Sequence, residues 1–128
     1  MRLLLDTHVF IWWNERPEVI SRRLRQAITN PRNEIVISAA SVWEISLKRA
    51  IGKLRFSQPI VTTIAAHRFQ LLSISGEHAE AAAELPRHHT DPFDRLLVAQ
   101  ADLEGLVLGT HDRKLQPYGI ALLGLSAR

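Results

Sequence analysis

The 128-residue sequence contains no cysteine, which excludes a disulfide-stapled scaffold and any zinc site built on thiolates. It also lacks a long apolar run, and no stretch approaches the ~18 residues that a membrane span requires. The opening Met1-Arg2-Leu3-Leu4-Leu5 meets an acid at Asp6, too early for the apolar segment of a secretory signal. Internal repeats, low-complexity tracts and long Gly/Ser linkers are missing as well. The expectation is a single domain spanning 1–128, large enough to bury one sizeable core, with no membrane association and a cytoplasmic location.

What is present is ordinary in bulk and informative in order. Apolar residues make up 46% and charged residues 23%, the composition of a globular protein. Residues 2–5 form a short apolar run ending at Asp6, which predicts a buried strand. Residues 8–14 read as a short helix closed by Pro17. From 18 to 29, Val19, Ile20, Leu24, Ala27 and Ile28 recur at helical spacing until Asn30-Pro31 stops the pattern. Ile35-Val36-Ile37 is β-branched and predicts a strand. Ser38 to Ser41 can cap a helix through about Ile51, which Gly52 terminates.

Further on, helices are expected over 59–69, 77–85 and from Asp91-Pro92 to about Leu103. Strands are expected over 71–74, 106–108 and 120–123. Alternating strands and helices indicate βαβ units and an α/β fold, a three-layer α/β/α sandwich with a central parallel sheet. Ligands of such sheets bind beyond the carboxyl ends of the strands. Asp6 directly follows the first strand and Asp112 lies four residues past Leu108, so both belong at that edge.

Four acids stand out, each with a plain structural alternative. Asp6 can cap the following helix through its first amides. Glu44 can form an i,i+4 pair with Lys48, worth roughly 0.3–0.5 kcal/mol on an exposed face, although Trp43 and Ile45 flank it in an apolar segment. In Asp91-Pro92-Phe93-Asp94, Asp91 is a good N-cap before a proline at the first helical position, and this explains Asp94 only in part. Asp112 can be a turn residue. Taken singly, none of the four is decisive.

Taken together, the segments Arg2-Leu-Leu-Leu-Asp6-Thr7-His8, Ser38-Ala-Ala-Ser-Val-Trp-Glu44-Ile, Asp91-Pro-Phe-Asp94-Arg-Leu-Leu and Leu108-Gly-Thr110-His-Asp112 resemble the successive motifs of the PIN domain family. The wording is most similar to toxins of the VapC type, and the resemblance covers nearly the whole chain. It implies a PIN-like fold and a metal-dependent endoribonuclease, the toxin component of a toxin–antitoxin system. Asp6, Glu44, Asp94 and Asp112 then serve as the metal-binding and catalytic acids, with Thr7 and Thr110 in supporting positions. It further implies Mg²⁺ or Mn²⁺ as cofactor, RNA as substrate, a homodimer, and a cognate antitoxin as partner.

The chemistry is coherent beside the resemblance. Mg²⁺ prefers oxygen ligands, and clustered carboxylates that repel one another are relieved by a cation. The formal charge is +3, from 16 basic and 13 acidic residues; with four acids holding cations, nine remain and the balance becomes +7. An acidic hole in a basic surround suits a polyanion, although solubilising surface charge gives the same count.

Other features admit two readings. Arg22, Arg23 and Arg25, with Lys48, Arg49, Lys53 and Arg55, are either a solvated face or contacts for an RNA backbone. His88-His89 belong to a polar loop whose nearness to Asp94 allows substrate contact, and His67 and His78 read as ordinary helix residues. Adjacent Trp12 and Trp13 are not expected to share one core, leaving one for a partner surface. The competing functions are a housekeeping PIN nuclease of RNA processing or DNA repair, and an inactive binding module. A phosphoacceptor site of the haloacid dehalogenase kind would want an Asp two positions after Asp6, where His8 stands.

Overall fold

A computed structural model of the chain describes residues 1–125. Five strands form one parallel sheet: β1 (Arg2–Leu5), β2 (Glu34–Ser38), β3 (Gln70–Leu72), β4 (Val107–Gly109) and β5 (Leu122–Leu123), in the order β3-β2-β1-β4-β5. Six α-helices connect them: α1 (Thr7–Glu15), α2 (Arg22–Thr29), α3 (Ala39–Ala50), α4 (Ile60–Ala66), α5 (Gly76–Glu84) and α6 (Pro92–Glu104). The three-layer α/β/α reading of the sequence is the architecture observed.

The central strands β1 and β2 are buried on both faces, as those of a parallel sheet are when crossover helices cover it, while the edge strand β3 is partly exposed. Side chains alternate across β1, so Leu3 and Leu5 join one core with Val9, Phe10 and Ile45, while Leu4 joins another with Leu97, Val98 and Leu108. All three leucines are fully buried, each contributing about 1.5–3 kcal/mol by leaving water.

The chain first winds from β1 through β2 to β3, then crosses back to place β4 on the other side of β1. Leu3 pairs with Ile35 of β2 and with Val107 of β4. The strand order therefore reverses between β1 and β4. At such a reversal the connecting segments leave in opposite directions and open a crevice at the strands' carboxyl ends. Asp6 and Thr110 follow those two strands directly.

Two elements depart from expectation. The helix predicted over 18–29 is divided into a 3-10 turn (Pro17–Val19) and α2. Ile20 is extended and 1% exposed, so the chain leaves helical geometry to place it in the core. Ser21 then caps α2 afresh, its Oγ accepting the Leu24 N–H at 3.3 Å. A 3-10 turn over Arg113–Tyr118, containing Pro117, was not foreseen. Among the described residues, no helix is long and apolar enough to cross a membrane.

Candidate active site

Asp6 is 5% exposed at the end of β1 and uses its two carboxylate oxygens differently. Oδ1 accepts the His8 N–H at 2.7 Å and caps α1, whereas Oδ2 accepts the Thr110 hydroxyl at 2.6 Å. Thr110 in turn accepts the Asp112 N–H at 3.0 Å. One buried hydroxyl thus ties the acid after β1 to the acid after β4. Gly124 makes room for this corner: a Cβ there would lie 2.5 Å from the Thr110 carbonyl oxygen.

Glu44 lies on the inner side of α3 and is 3% exposed. Its Oε2 accepts from Lys48 Nζ at 2.6 Å, so the i,i+4 pair exists, but on a buried acid rather than a solvated one. Glu44 Oε1 is buried without a hydrogen-bond partner. Leaving such an atom unsatisfied costs about 1–3 kcal/mol, which a bound cation would offset. Thr7 does not engage Asp6 through its hydroxyl; it pairs with Ser41 Oγ at 2.8 Å. Ser41 precedes Glu44 by three residues on the same helix, so this contact braces α3 and its acid against α1.

Asp94 enters from α6. Asp91 caps that helix, its Oδ1 accepting from the N–H groups of Phe93 at 2.8 Å and Asp94 at 3.3 Å. Asp94 holds its proton far above the usual carboxylate range, to about 8, through burial and then the repulsion of Asp6, Asp91, Glu44 and Asp112. All three other sequence-selected acids thus act on Asp94, and Asp91 adds to them. The Asp6 pKa is also raised, because burial outweighs the hydrogen bonds from Thr110 and His8. The Lys48 pKa is raised chiefly by its hydrogen bond to Glu44, with Asp91 and Asp94 adding to it.

Asp112 caps the 3-10 turn, Oδ1 accepting the Lys114 N–H at 3.0 Å. Its Oδ2 lies 3.3 Å from His89 Nε2, which is also 3.2 Å from Asp94 Oδ2. The oxygens of Asp94 and Asp112 and a ring nitrogen of His89 all lie within 4.8 Å of one another. An orphaned carboxylate oxygen, a carboxyl made reluctant to ionise by burial and by its acidic neighbours, and an oxygen-rich donor set fit a hard divalent cation.

Three residues acquire roles that single-residue arguments did not assign. His89, first read as a surface-loop residue with a chance of substrate contact, is enclosed, its side chain 13% exposed. Arg95 sends its guanidinium to the carbonyls of Ala82 (2.9 Å), Leu85 (2.9 Å) and Pro86 (3.0 Å), closing the end of α5 and shaping the loop that carries His89. Only its place beside Asp94 in the motif could have singled it out. His78, expected as an ordinary helix residue, is 3% exposed and completes a capping box with Ser75. Its Nε2 lies 2.8 Å from Glu104 on α6.

His8 stands at the rim of the site, its Nδ1 4.0 Å from Asp6 Oδ1, while His111 is engaged elsewhere. His8 is largely exposed, and His111 bridges the Ser21 N–H and the Gly124 carbonyl, tying α2 to the last strand. Trp12 and Trp13 both pack, half-buried, against the same core, contrary to expectation. The large exposed aromatic is instead Trp43, 61% exposed, with its ring edge-on to Phe93 at 5.3 Å.

The parallel sheet and its acidic switch point are those of a known class, and the chain belongs to the PIN domain family, whose sequence model matches residues 3–120. Within that family it is of the VapC type. It is 30% identical over 119 residues to Ribonuclease VapC22 of Mycobacterium tuberculosis (strain ATCC 25618 / H37Rv), covering 91% of each chain. The fold is shared with VapBC2 from Rickettsia felis bound to a DNA fragment from their promoter (TM-score 0.69, 19% identity, 96% of this chain and 98% of that one). VapBC-1 from nontypeable Haemophilus influenzae is similar (TM-score 0.63, 20% identity, 96% and 97%).

Proposed function

We propose that the chain, as one domain, is an endoribonuclease dependent on Mg²⁺ or Mn²⁺ and the toxin half of a toxin–antitoxin pair. The observation that carries this reading is the gathering of acids around Asp94, whose carboxyl is pushed up to about 8 by burial and then by the repulsion of Asp6, Asp91, Glu44 and Asp112. Such an arrangement is unfavourable in itself and becomes favourable when a cation is held. The ribonuclease activity in the name of the 30% identical relative supports RNA as the substrate. The toxin–antitoxin complexes among proteins of the same fold support an antitoxin partner. A homodimer and a cytoplasmic location belong to the same reading.

In this mechanism Asp6, Glu44, Asp94 and Asp112 would hold the cation. A divalent ion there supplies a nucleophilic water at neutral pH, Lewis-acid polarisation of the phosphoryl group and stabilisation of the leaving 3′ oxygen. Thr110 keeps Asp6 Oδ2 oriented, and the Thr7–Ser41 contact keeps Glu44 in register with Asp6. The exposed Arg22, Arg23, Arg25, Lys53 and Arg55 are available to neutralise phosphates, which predicts binding that weakens steeply with salt. Arg49 is committed elsewhere, its guanidinium on the carbonyls of Phe56 (3.1 Å) and Gln58 (3.2 Å).

The test is induced expression of wild type and Asp6→Asn with sequencing of cleaved RNA ends. Growth arrest with specific new ends in wild type alone is the expected result. An equally toxic Asp6→Asn chain would defeat the assignment.

A further inference from the structure

We propose that His89 is a positioning residue of the acidic site, donating its Nε2–H to Asp112 beside Asp94 rather than binding the cation. The inference rests on the nuclease reading and adds a residue to it.

Distance alone makes His89 look like a third ligand, because its ring nitrogen sits among the oxygens of Asp94 and Asp112. The polarity of its other hydrogen bond decides otherwise. The backbone N–H of Asp91 donates to His89 Nδ1 at 3.1 Å, which requires a lone pair on Nδ1. In a neutral ring the proton is then on Nε2. That proton is available to Asp112 Oδ2, hydrogen-bonded to Nε2 at 3.3 Å, while Asp94 Oδ2 lies alongside at 3.2 Å from the same nitrogen. A ring that ligated a cation through Nε2 would carry its proton on Nδ1, and that proton would oppose the Asp91 N–H. Two donors would face each other.

The ring is also fixed through its backbone. His89 N–H donates to the Tyr118 hydroxyl at 3.0 Å, and the His89 carbonyl accepts from Arg95 at 3.3 Å. The same Arg95 closes the carbonyls at the end of α5. His89 therefore reaches the acids from a loop held on two sides, with its tautomer set by the N-cap residue of α6. That N–H holds Asp112 Oδ2 on the side that faces Asp94. Without it Asp112 is free to turn away from Asp94, and a cation must reassemble the pair. Groups that orient metal ligands are typically worth 10–100-fold in affinity, so a loss of about tenfold is expected here.

The experiment uses the full chain. Imidazole ¹⁵N–¹H correlation spectra of wild type, without and with Mg²⁺, should place the His89 proton on Nε2 in both. Titration with Mn²⁺ should show affinity about tenfold weaker in His89→Ala, and partial recovery in His89→Gln, whose amide can still donate. A proton on Nδ1, or loss of the Nε2 proton on adding Mg²⁺, would make His89 a ligand and overturn the proposal, whether or not the variants fold. Equal Mn²⁺ affinity in folded wild type and His89→Ala would also overturn it. Failure of wild type itself to bind Mn²⁺ and cleave RNA would instead remove the nuclease reading beneath it.

Discussion

The Thr110 hydroxyl donates to Asp6 Oδ2 across 2.6 Å, joining the ends of two neighbouring parallel strands inside the acidic site. Thr110 is fully buried and also accepts the Asp112 N–H, so neither hydrogen bond can be replaced by water without rearrangement. Thr110→Val keeps the shape and removes both bonds. We expect a stability loss of about 1–3 kcal/mol by urea unfolding and a clear fall in RNA cleavage, with Thr110→Ser retaining most of both. Unchanged cleavage by the Val variant would separate Asp6 from this support.

Asp94 predicts a stability profile with a definite sign. Its carboxyl titrates at about 8 in the folded chain against an ordinary 3.8. Between those values the unfolded chain has released the proton and the folded chain retains it. The native state is therefore favoured below the unfolded value and loses that advantage as pH rises through about 8. Asp94→Asn removes the effect. The metal-free variant should be more stable than wild type by roughly 1–3 kcal/mol near pH 8.5, a gap that closes toward pH 4, while Mg²⁺-dependent cleavage is abolished. Thermal melts at both pH values, with an RNA cleavage assay, check this.

The same proton competes with the cation. Mn²⁺ affinity should rise with pH until about 8 and then level, by up to roughly tenfold per pH unit if Asp94 alone releases the proton. Calorimetry in buffers of different ionisation heat would also show proton release on binding. Flat affinity from pH 6 to 8.5 would mean that Asp94 is not a ligand.

Lys48 partly compensates Glu44 in the absence of a cation, through the 2.6 Å contact. Lys48→Met leaves Glu44 buried with neither oxygen paired. Stability without metal should drop by about 1–3 kcal/mol. The Tm gain on adding Mn²⁺ should then be larger than in wild type. An equal gain in both would show that Glu44 takes no part in holding the ion.

Arg95 should matter for architecture more than for charge. Its fork spans carbonyls from Ala82 to His89, a reach that an ammonium group cannot reproduce. Arg95→Lys is expected to destabilise the chain by about 2–4 kcal/mol and to expose amides of the 85–91 loop to hydrogen exchange. Retained protection in that loop would refute the role.

Much of this molecule was legible in one dimension. Periodicity and punctuation predicted alternating strands and helices because hydrophobic spacing and capping are local. The four acids could be picked out by the joint order of their motifs: Asp6, Asp94 and Asp112 stand at or near the start of an element, and Glu44 lies within α3. The sequence also posed choices that had no local answer: Asp6 as cap or site acid, Glu44 as ion-pair partner or inward acid. Those choices dissolve in three dimensions, since a carboxylate has two oxygens. Asp6 caps with one and meets Thr110 with the other; Glu44 pairs with Lys48 through one and leaves the other free.

What only the tertiary structure decided is the company each group keeps. The break at Ile20 follows from a core that needs a side chain where a continuous helix cannot put it. His89 and Arg95 act through partners far along the chain, Asp112 and the end of α5. Sequence by itself determined which groups could do chemistry and in what order they come. The fold determined their mutual repulsion, their hydrogen-bond polarity and hence their protonation, because those depend on distances between segments that no local pattern encodes.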